Sequence, residues 1–187
     1  LSIWLMKSKF GVSRNSFRTK KSGYVDSLPF PVFKKNALID AGGYDERLIR
    51  NQDNDMNYRL RLKNHKLFST SKTSSNYTIN YSLSMLYNYS FRNGLWNGKT
   101  LFINPRAMNI HHFIPAFFVF YILSIPFSYI LDETIFNVYL IPGLLYIFIS
   151  AIETFKIFLK KKNPSALRLF YIFFKFHFYY GIGTIKG

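Results

Sequence analysis

The chain has no cysteine. Disulfides, zinc–thiolate sites and cysteine nucleophiles are thereby excluded. Acid is scarce: 9 Asp and Glu stand against 25 Lys and Arg, a formal charge of +16 over 187 residues. Such a surplus suits phosphates, anionic lipid headgroups or nucleic acid. The first residues lack a basic stretch, a short apolar core and a small-residue cleavage site in that order, so they do not read as a signal peptide. Charge vanishes over residues 113–131 and again over 134–152, 19 residues each, with only Asp132 and Glu133 between.

What is abundant is aromatic: 21 Phe and 14 Tyr bring the aromatic share to 20%, a level common where a chain meets lipid. The character changes near residue 112, before which 18 basic and 6 acidic residues mix with polar loops. Each uncharged stretch approaches the ~20 residues a helix needs to cross the hydrocarbon core. Pro115, Pro126 and Pro142 fall inside them, which membrane helices tolerate better than soluble ones do. A pair of buried core helices is the alternative, but little else in the chain is large enough to cover them. Lys156, Lys160, Lys161 and Lys162 flank the second stretch and Arg106 precedes the first. The positive-inside rule then places the first half and the lysine run on the cytoplasmic face of the plasma or inner membrane. The last segment, about 164–184, can start on an Asn163 cap with Pro164 in the first turn. It carries Arg168, Tyr171, Ile172, Lys175 and Tyr179 on one stripe, as an interfacial helix or a third span packed on the other two. The expected division is therefore 1–108 and a membrane region at 109–187.

The first half reads as a mixture of strands and helices. Residues 24–33 are extended, with Pro29 and Pro31 keeping them at an edge. Residues 36–41 form a short helix ended by Gly42-Gly43, and 52–64 form a second helix. Strands are expected at 66–70 and 76–81. Residues 83–99 place Leu83, Leu86, Tyr87, Phe91 and Leu95 on one stripe, an amphipathic helix that Gly94 weakens.

Residues 41–63 are the richest in chemistry. A loop holding Asp45 and Glu46 leads to Asp53 and Asp55 at a helix mouth, with Arg59 and Arg61 one turn on. Asp53 is the candidate general base. The helix dipole favours its charged form, so a dry site or a neighbouring carboxylate such as Asp55 would have to raise its pKa. Aspartate is also favoured at helix starts for stability alone. Arg92, Trp96 and Lys99, spaced by four and three, share a broad helix face. The two cations suit a diphosphate and the indole suits a sugar ring. An interfacial helix with its Trp and cations at headgroup level is the other reading.

These segments resemble, in order and spacing, the back half of membrane-bound family 2 glycosyltransferases of the succinoglycan-biosynthesis type. The resemblance runs through PheGlyValSerArgAsn at 10–15, ValAspSerLeuProPhe at 25–30 and AlaGlyGlyTyrAspGluArgLeuIleArgAsnGlnAspAsnAsp at 41–55. It continues through ArgAsnGlyLeuTrpAsnGlyLysThr at 92–100 and HisPheTyrTyrGlyIleGlyThrIleLysGly at 177–187. It implies the acceptor-side half of an α/β, GT-A-like nucleotide-sugar fold followed by α-helical membrane segments. The implied activity is inverting transfer of a sugar from a nucleotide-sugar donor to a lipid-linked or polysaccharide acceptor, with membrane lipids as partners and no nucleic acid. The family's Glu-Asp motif falls on Gln52-Asp53, keeping the catalytic Asp and replacing the Glu. The Gln-x-x-Arg-Trp motif of related synthases falls on Arg92 to Trp96 without the Arg-Trp pair, and Pro31 replaces a small residue. Asp26 and Asp55 are expected to position the acceptor or tune the base, with Arg92, Trp96 and Lys99 meeting diphosphate or sugar. A divalent metal, Mg or Mn, belongs to the full family, held by an Asp-x-Asp in a preceding nucleotide-binding half. That motif has no counterpart here, because Asp53-Asn54-Asp55 aligns with the base motif; no metal ligand is assigned. The chain is therefore expected to be a fragment, inactive by itself. A non-catalytic relative that binds lipid-linked sugar is the alternative function, and a membrane-tethered nucleic-acid binder without a recognition motif is a further rival. His111-His112 reads as an interface pair, GlyIleGly at 181–183 as a place where helices approach, and the Asn76 and Asn88 sequons as unmodified on the cytoplasmic side.

Overall fold

Ser82 starts the central helix: its hydroxyl accepts from the Met85 N–H at 3.2 Å, and the chain then winds without a break from Leu83 to Ile103 as α4. The computed structural model describes residues 1–8, 10–11, 22–28, 31–72 and 81–187. In chain order the helices are α1 (Ser2–Lys7), α2 (Lys35–Asp40), α3 (Gln52–Leu62), α4, α5 (Ile114–Leu131), α6 (Glu133–Lys161) and α7 (Leu169–Lys186). Strands β1 (Gly23–Tyr24) and β2 (Phe68–Ser69) pair antiparallel with Gly23 opposite Ser69. The described part of 1–108 is thus mainly helical, with one short strand pair: β1 overlaps the extended segment expected at 24–33 only at Tyr24, and β2 stands within 66–70. The strand expected at 76–81 lies almost wholly outside the described residues.

The closest packing is between α4 and α7. Ser90 donates to the Phe176 carbonyl at 2.5 Å. A Cβ on Gly94 would overlap the Tyr180 carbonyl oxygen, and one on Gly98 would sit 2.7 Å from the Gly187 carbonyl carbon. From the other side, a Cβ on Gly183 would overlap the Phe91 carbonyl and lie 3.0 Å from the Leu95 nitrogen. The partners advance together along both helices, which makes the pair parallel, backbone against backbone. The buried face of α4 is Leu86, Ser90, Gly94, Asn97 and Gly98, and Leu83 is exposed. The apolar stripe expected from Leu83 to Leu95 lies along this face: Leu86 is in the core, Tyr87 packs on it and the backbones of Phe91 and Leu95 touch α7, while its first residue, Leu83, is exposed. Close approach selects small residues, so Gly94 serves the helix pair and does not weaken it. On its opposite side α7 meets α5, where a Cβ on Gly181 would overlap the Pro115 carbonyl.

Two cores flank this contact. Leu5, Met6, Leu86, Leu169, Ile172, Phe173 and Phe176 join α1, α4 and α7, with Ile157 of α6 packed on them. Ala41, Met56, Leu60 and Leu67 form a smaller core under α2, α3 and β2. Gly42 and Gly43 end α2 at φ +82° and +69°, a turn closed by Gly43 N–H to Leu38 O at 3.0 Å. The division expected at 108/109 falls between the short turns Pro105–Ala107 and Ile110–His112, yet packing crosses it, since α1 and α4 share a core with α7.

Helices α5 and α6 form an antiparallel hairpin. Asp132 caps α6 by accepting from Thr134 and Ile135 N–H at 2.7 and 3.1 Å. Tyr121 inserts its hydroxyl beside Pro142: it donates to Tyr139 O at 2.8 Å and accepts from Gly143 N–H at 2.9 Å. Those two groups would bond each other in an unbroken helix, so the tyrosine satisfies the backbone that proline disturbs. Both helices are long and apolar enough to cross a membrane, each holding an 18-residue stretch with a mean hydropathy of 2.0. Against the expected 113–131 and 134–152, α5 begins at Ile114 and α6 runs on to Lys161, past the uncharged stretch. At their base, His177 of α7 bonds the Tyr146 hydroxyl at 2.9 Å and the Phe10 carbonyl at 3.1 Å. Segment 164–184 is thus a helix packed among α4, α5 and α6.

Overpacking at a backbone contact costs about 3 kcal/mol where neither side can yield. Gly94→Ala and Gly183→Ala should each lower the melting temperature in detergent sharply, whereas Ser90→Ala, losing one hydrogen bond, should cost about 1 kcal/mol. Melting curves unchanged by either alanine would contradict the close approach of α4 and α7.

Candidate functional site

The site is built from the loop that follows α2. Asp45 clips it by accepting from the Arg47 N–H at 3.0 Å and from the Arg47 guanidinium at 2.7 Å. Those bonds to Arg47 hold the Asp45 carboxyl down at about 2, so this acid is spoken for. Leu48 is buried, and the chain turns through Asn51 in the left-handed region at φ 63°. Asn51 precedes α3 without capping it. Its side chain points elsewhere, donating to Asn97 Oδ1 at 2.8 Å and Thr100 Oγ1 at 3.2 Å on α4.

Asp53 lies in the first turn of α3, half-buried, accepting from the Asn54 N–H at 2.9 Å. Burial pushes its pKa up, against the lowering effect of backbone N–H bonds. Among the described residues no cation pairs with it. Asp55 differs in every respect. It is 2% exposed, it binds Arg59 Nη2 at 2.7 Å and Nε at 2.9 Å, and it accepts from Asn104 Nδ2 at 2.7 Å. Arg59 also donates to the Ala41 carbonyl. Two residues apart on a helix, the two carboxylates point to different sides. Asp55 therefore braces the turn and is not the close neighbour that would raise the pKa of Asp53; desolvation does that.

The other expected residues fall as follows. Asp26 is 88% exposed, 3.7 Å from Arg61, on a segment tied to α3 by Ser27 to Asn54 at 3.0 Å and Asn57 to Leu28 O at 2.9 Å. Its chain is beside the helix of Asp53, and its carboxylate faces solvent. Arg92 and Lys99 are exposed on α4. Trp96 is only 9% exposed, and the Lys99 ammonium stands 4.9 Å from its ring centre. The indole is thus a covered wall with a cation on it, and not the open platform a stacking sugar needs.

Arg50, Asn51, Asn93, Asn97 and Asn104 also belong to the site, and none carries a sequence motif that marks it. Arg50 donates to Asn93 Oδ1 at 2.6 Å and lies 5.6 Å from the Tyr89 ring centre, which ties its guanidinium to α4. Asn93, Asn97 and Thr100 on α4 and Asn104, the residue that ends it, recur at steps of four, three and four. That spacing was the available signal, a polar stripe at helical period, but such stripes usually face water. The divalent metal of the resembled family finds no fit here. Asp55 is occupied by Arg59 and Asn104, and among the described residues no three His, Asp or Glu side chains converge. His111 and His112 stack at 4.1 Å, and the latter accepts from the Asn109 N–H at 3.0 Å. Burial, and then the charge of His111, push His112 down to about 4, which leaves it neutral at pH 7. No family model, curated protein or solved structure matches this chain.

The two aspartates should respond oppositely to removal of charge. A raised carboxylate pKa means that the folded state resists the charged form. The contribution of Asp53 to stability is therefore fully present below its ordinary pKa of 3.8, is lost as pH rises through the raised folded-state pKa, and stays constant above that. Asp53→Asn should then raise the melting temperature at pH 7, with the gain disappearing under acid conditions. Asp55→Ala, which strands a largely covered Arg59, should cost about 3 kcal/mol. A destabilised Asp53→Asn at pH 7 would sink the contrast.

Proposed function

We propose that this chain is the acceptor-side and membrane-proximal part of an inverting glycosyltransferase, extending a lipid-linked or polysaccharide acceptor at the cytoplasmic face. The observation that carries the proposal is Asp53: a half-buried carboxylate without a cation partner among the described residues, raised in pKa, at the mouth of a helix. A general base needs a carboxylate in this condition, shielded from water and free of a cation. Asp53 takes the proton from an acceptor hydroxyl as its oxygen attacks the anomeric carbon of the donor sugar. The bond from that carbon to the nucleoside diphosphate breaks, and the diphosphate leaves with the electron pair. Arg50, Arg92 and Lys99 supply positive charge on the loop and on α4 for phosphate. The nucleotide-sugar half of the α/β fold and its metal are not assigned to residues of this chain.

The hairpin of α5 and α6 supports a two-pass anchor. The start of α5 and the end of α6 lie at one end of the hairpin, the end that carries Arg106, Lys160 and Lys161. The tip holds Asp132 and Glu133. That polarity fits the basic end in the cytoplasm. Acceptors carried on lipid would then arrive beside the first turn of α3.

The test uses the complete reading frame that contains this chain, in membranes supplied with labelled nucleotide-sugars. Asp53→Asn should lower kcat by about 10²–10⁴-fold, the usual worth of a general base. The acid limb of kcat/KM should lie above the ordinary aspartate value of 3.8, because activity is lost as pH falls through the raised pKa of Asp53. An Asp53→Asn protein that binds lipid-linked sugar and transfers as fast as the parent would overturn the assignment.

A further inference from the structure

Asn51 and Asp55 flank Asp53 by two residues on either side, and both are fastened to the same helix. Asn51 is held by Asn97 and Thr100, and Asp55 by Asn104 at 2.7 Å. Just upstream, Arg50 is held by Asn93 at 2.6 Å. Asn97 is itself fixed from three directions. It is 2% exposed, its oxygen accepts from Asn51, and its amide donates to the Tyr180 hydroxyl of α7 at 2.6 Å and to the His112 carbonyl before α5 at 3.4 Å. An amide can make few more bonds than these, and a fully satisfied buried amide has one orientation.

We propose that Asn97 and Asn104 are positioning residues that set where the first turn of α3, and with it Asp53, stands relative to α4, α5 and α7. The inference rests on the reading of Asp53 as a base. Left alone, that turn has weak support. It follows a left-handed residue, has no side-chain cap of its own, and is seated on a small core through Met56 and Leu60. Helix ends in this condition fray. The stripe on α4 replaces the missing cap from outside. It also couples the turn to the helices that meet the lipid surface, so the height of the base above that surface is set by α4 and not by α3. For an acceptor presented from a membrane, a misplacement of about 1 Å can cost on the order of 10²-fold in rate.

The test has a structural and a kinetic arm. With the chain in detergent, amide hydrogen exchange at residues 52–56 should quicken about tenfold in Asn97→Ala and Asn104→Ala, the worth of one hydrogen bond, while residues 172–184 keep their protection. Asn97→Asp retains an oxygen for Asn51 and should restore protection at 52–56. In the complete reading frame, both alanine variants should lower kcat at least tenfold with the donor KM within about twofold, and Asn97→Asp should recover most of it. Should Asn97→Ala lose its fold, Asn51→Gly removes the same bond from the loop side and suits the left-handed backbone there. Unchanged exchange and unchanged kcat, with Asp53→Asn inactive, would overturn the positioning role and leave the base intact. An active Asp53→Asn would remove the base itself, and the positioning role with it.

Discussion

Glycines at 94, 98, 181, 183 and 187 let α7 lie backbone to backbone with α4 and touch the start of α5, and the rest of the molecule hangs from that contact. Side-chain packing normally keeps helix axes about 8–10 Å apart. Here carbonyl groups of one helix occupy the space where a Cβ of the other would be. The contact is rigid because neither backbone can be repacked as a side chain can. It also fixes rotation about both helix axes. With α7 so fixed, His177 is presented to Tyr146 and Phe10, and Phe173 reaches the core that α1 closes. With α4 so fixed, its polar stripe faces the loop of Asp53.

The two kinds of contact do different work. The α4–α7 seam and the core of Leu5, Leu86, Leu169 and Phe173 supply stability through dispersion and burial. The bonds from Asn93, Asn97 and Asn104 supply little net energy, about 1 kcal/mol each, because the same groups would be hydrated in the unfolded chain. What they supply is direction. A seam that tolerates no methyl group, next to hydrogen bonds that tolerate no rotation, joins a soft first turn to a stiff helix pair. That is the arrangement expected where a reacting group must be held more accurately than its own element can hold it.

Much of this was legible in the residues, and the failures have physical causes. The stop at Gly42-Gly43 and the break at Asp132 follow from local rules of capping and glycine conformation, and the start of α3 from the acids Asp53 and Asp55 in its first turn, none of which needs tertiary information. The apolar helices follow from the absence of charge. The apolar stripe of α4 pointed to the side that meets α7, but not to Ser90, Gly94 and Gly98, the small residues that a close helix approach places inside while Leu83 stays outside. Trp96 read as a sugar platform on residue type alone; its neighbour three positions on, Lys99, covers it. Asp55 read as a partner for Asp53 on spacing alone, and the helical turn sends it to Arg59 and Asn104. The asparagines were invisible for a different reason. Asparagine is abundant in this chain, and only the fold distinguishes an amide with buried partners from one in water.

The fates of the two acids carry the strongest argument for chemistry at this site. A chain with 9 acids against 25 bases has cations to spare. Asp45 has Arg47, Asp55 has Arg59, Glu153 has Lys156 at 3.2 Å, and even exposed Asp26 stands near Arg61. Asp53 is half out of water in this basic setting and, among the described residues, meets only backbone N–H groups. Placing one of the many lysines or arginines beside it would stabilise the fold and lower its pKa. That same pairing would abolish its capacity to accept a proton. Arg50, the cation held near that loop, is drawn aside by Asn93 and Tyr89. Leaving this acid without a cation keeps its carboxylate free to take a proton, which is the role proposed for it.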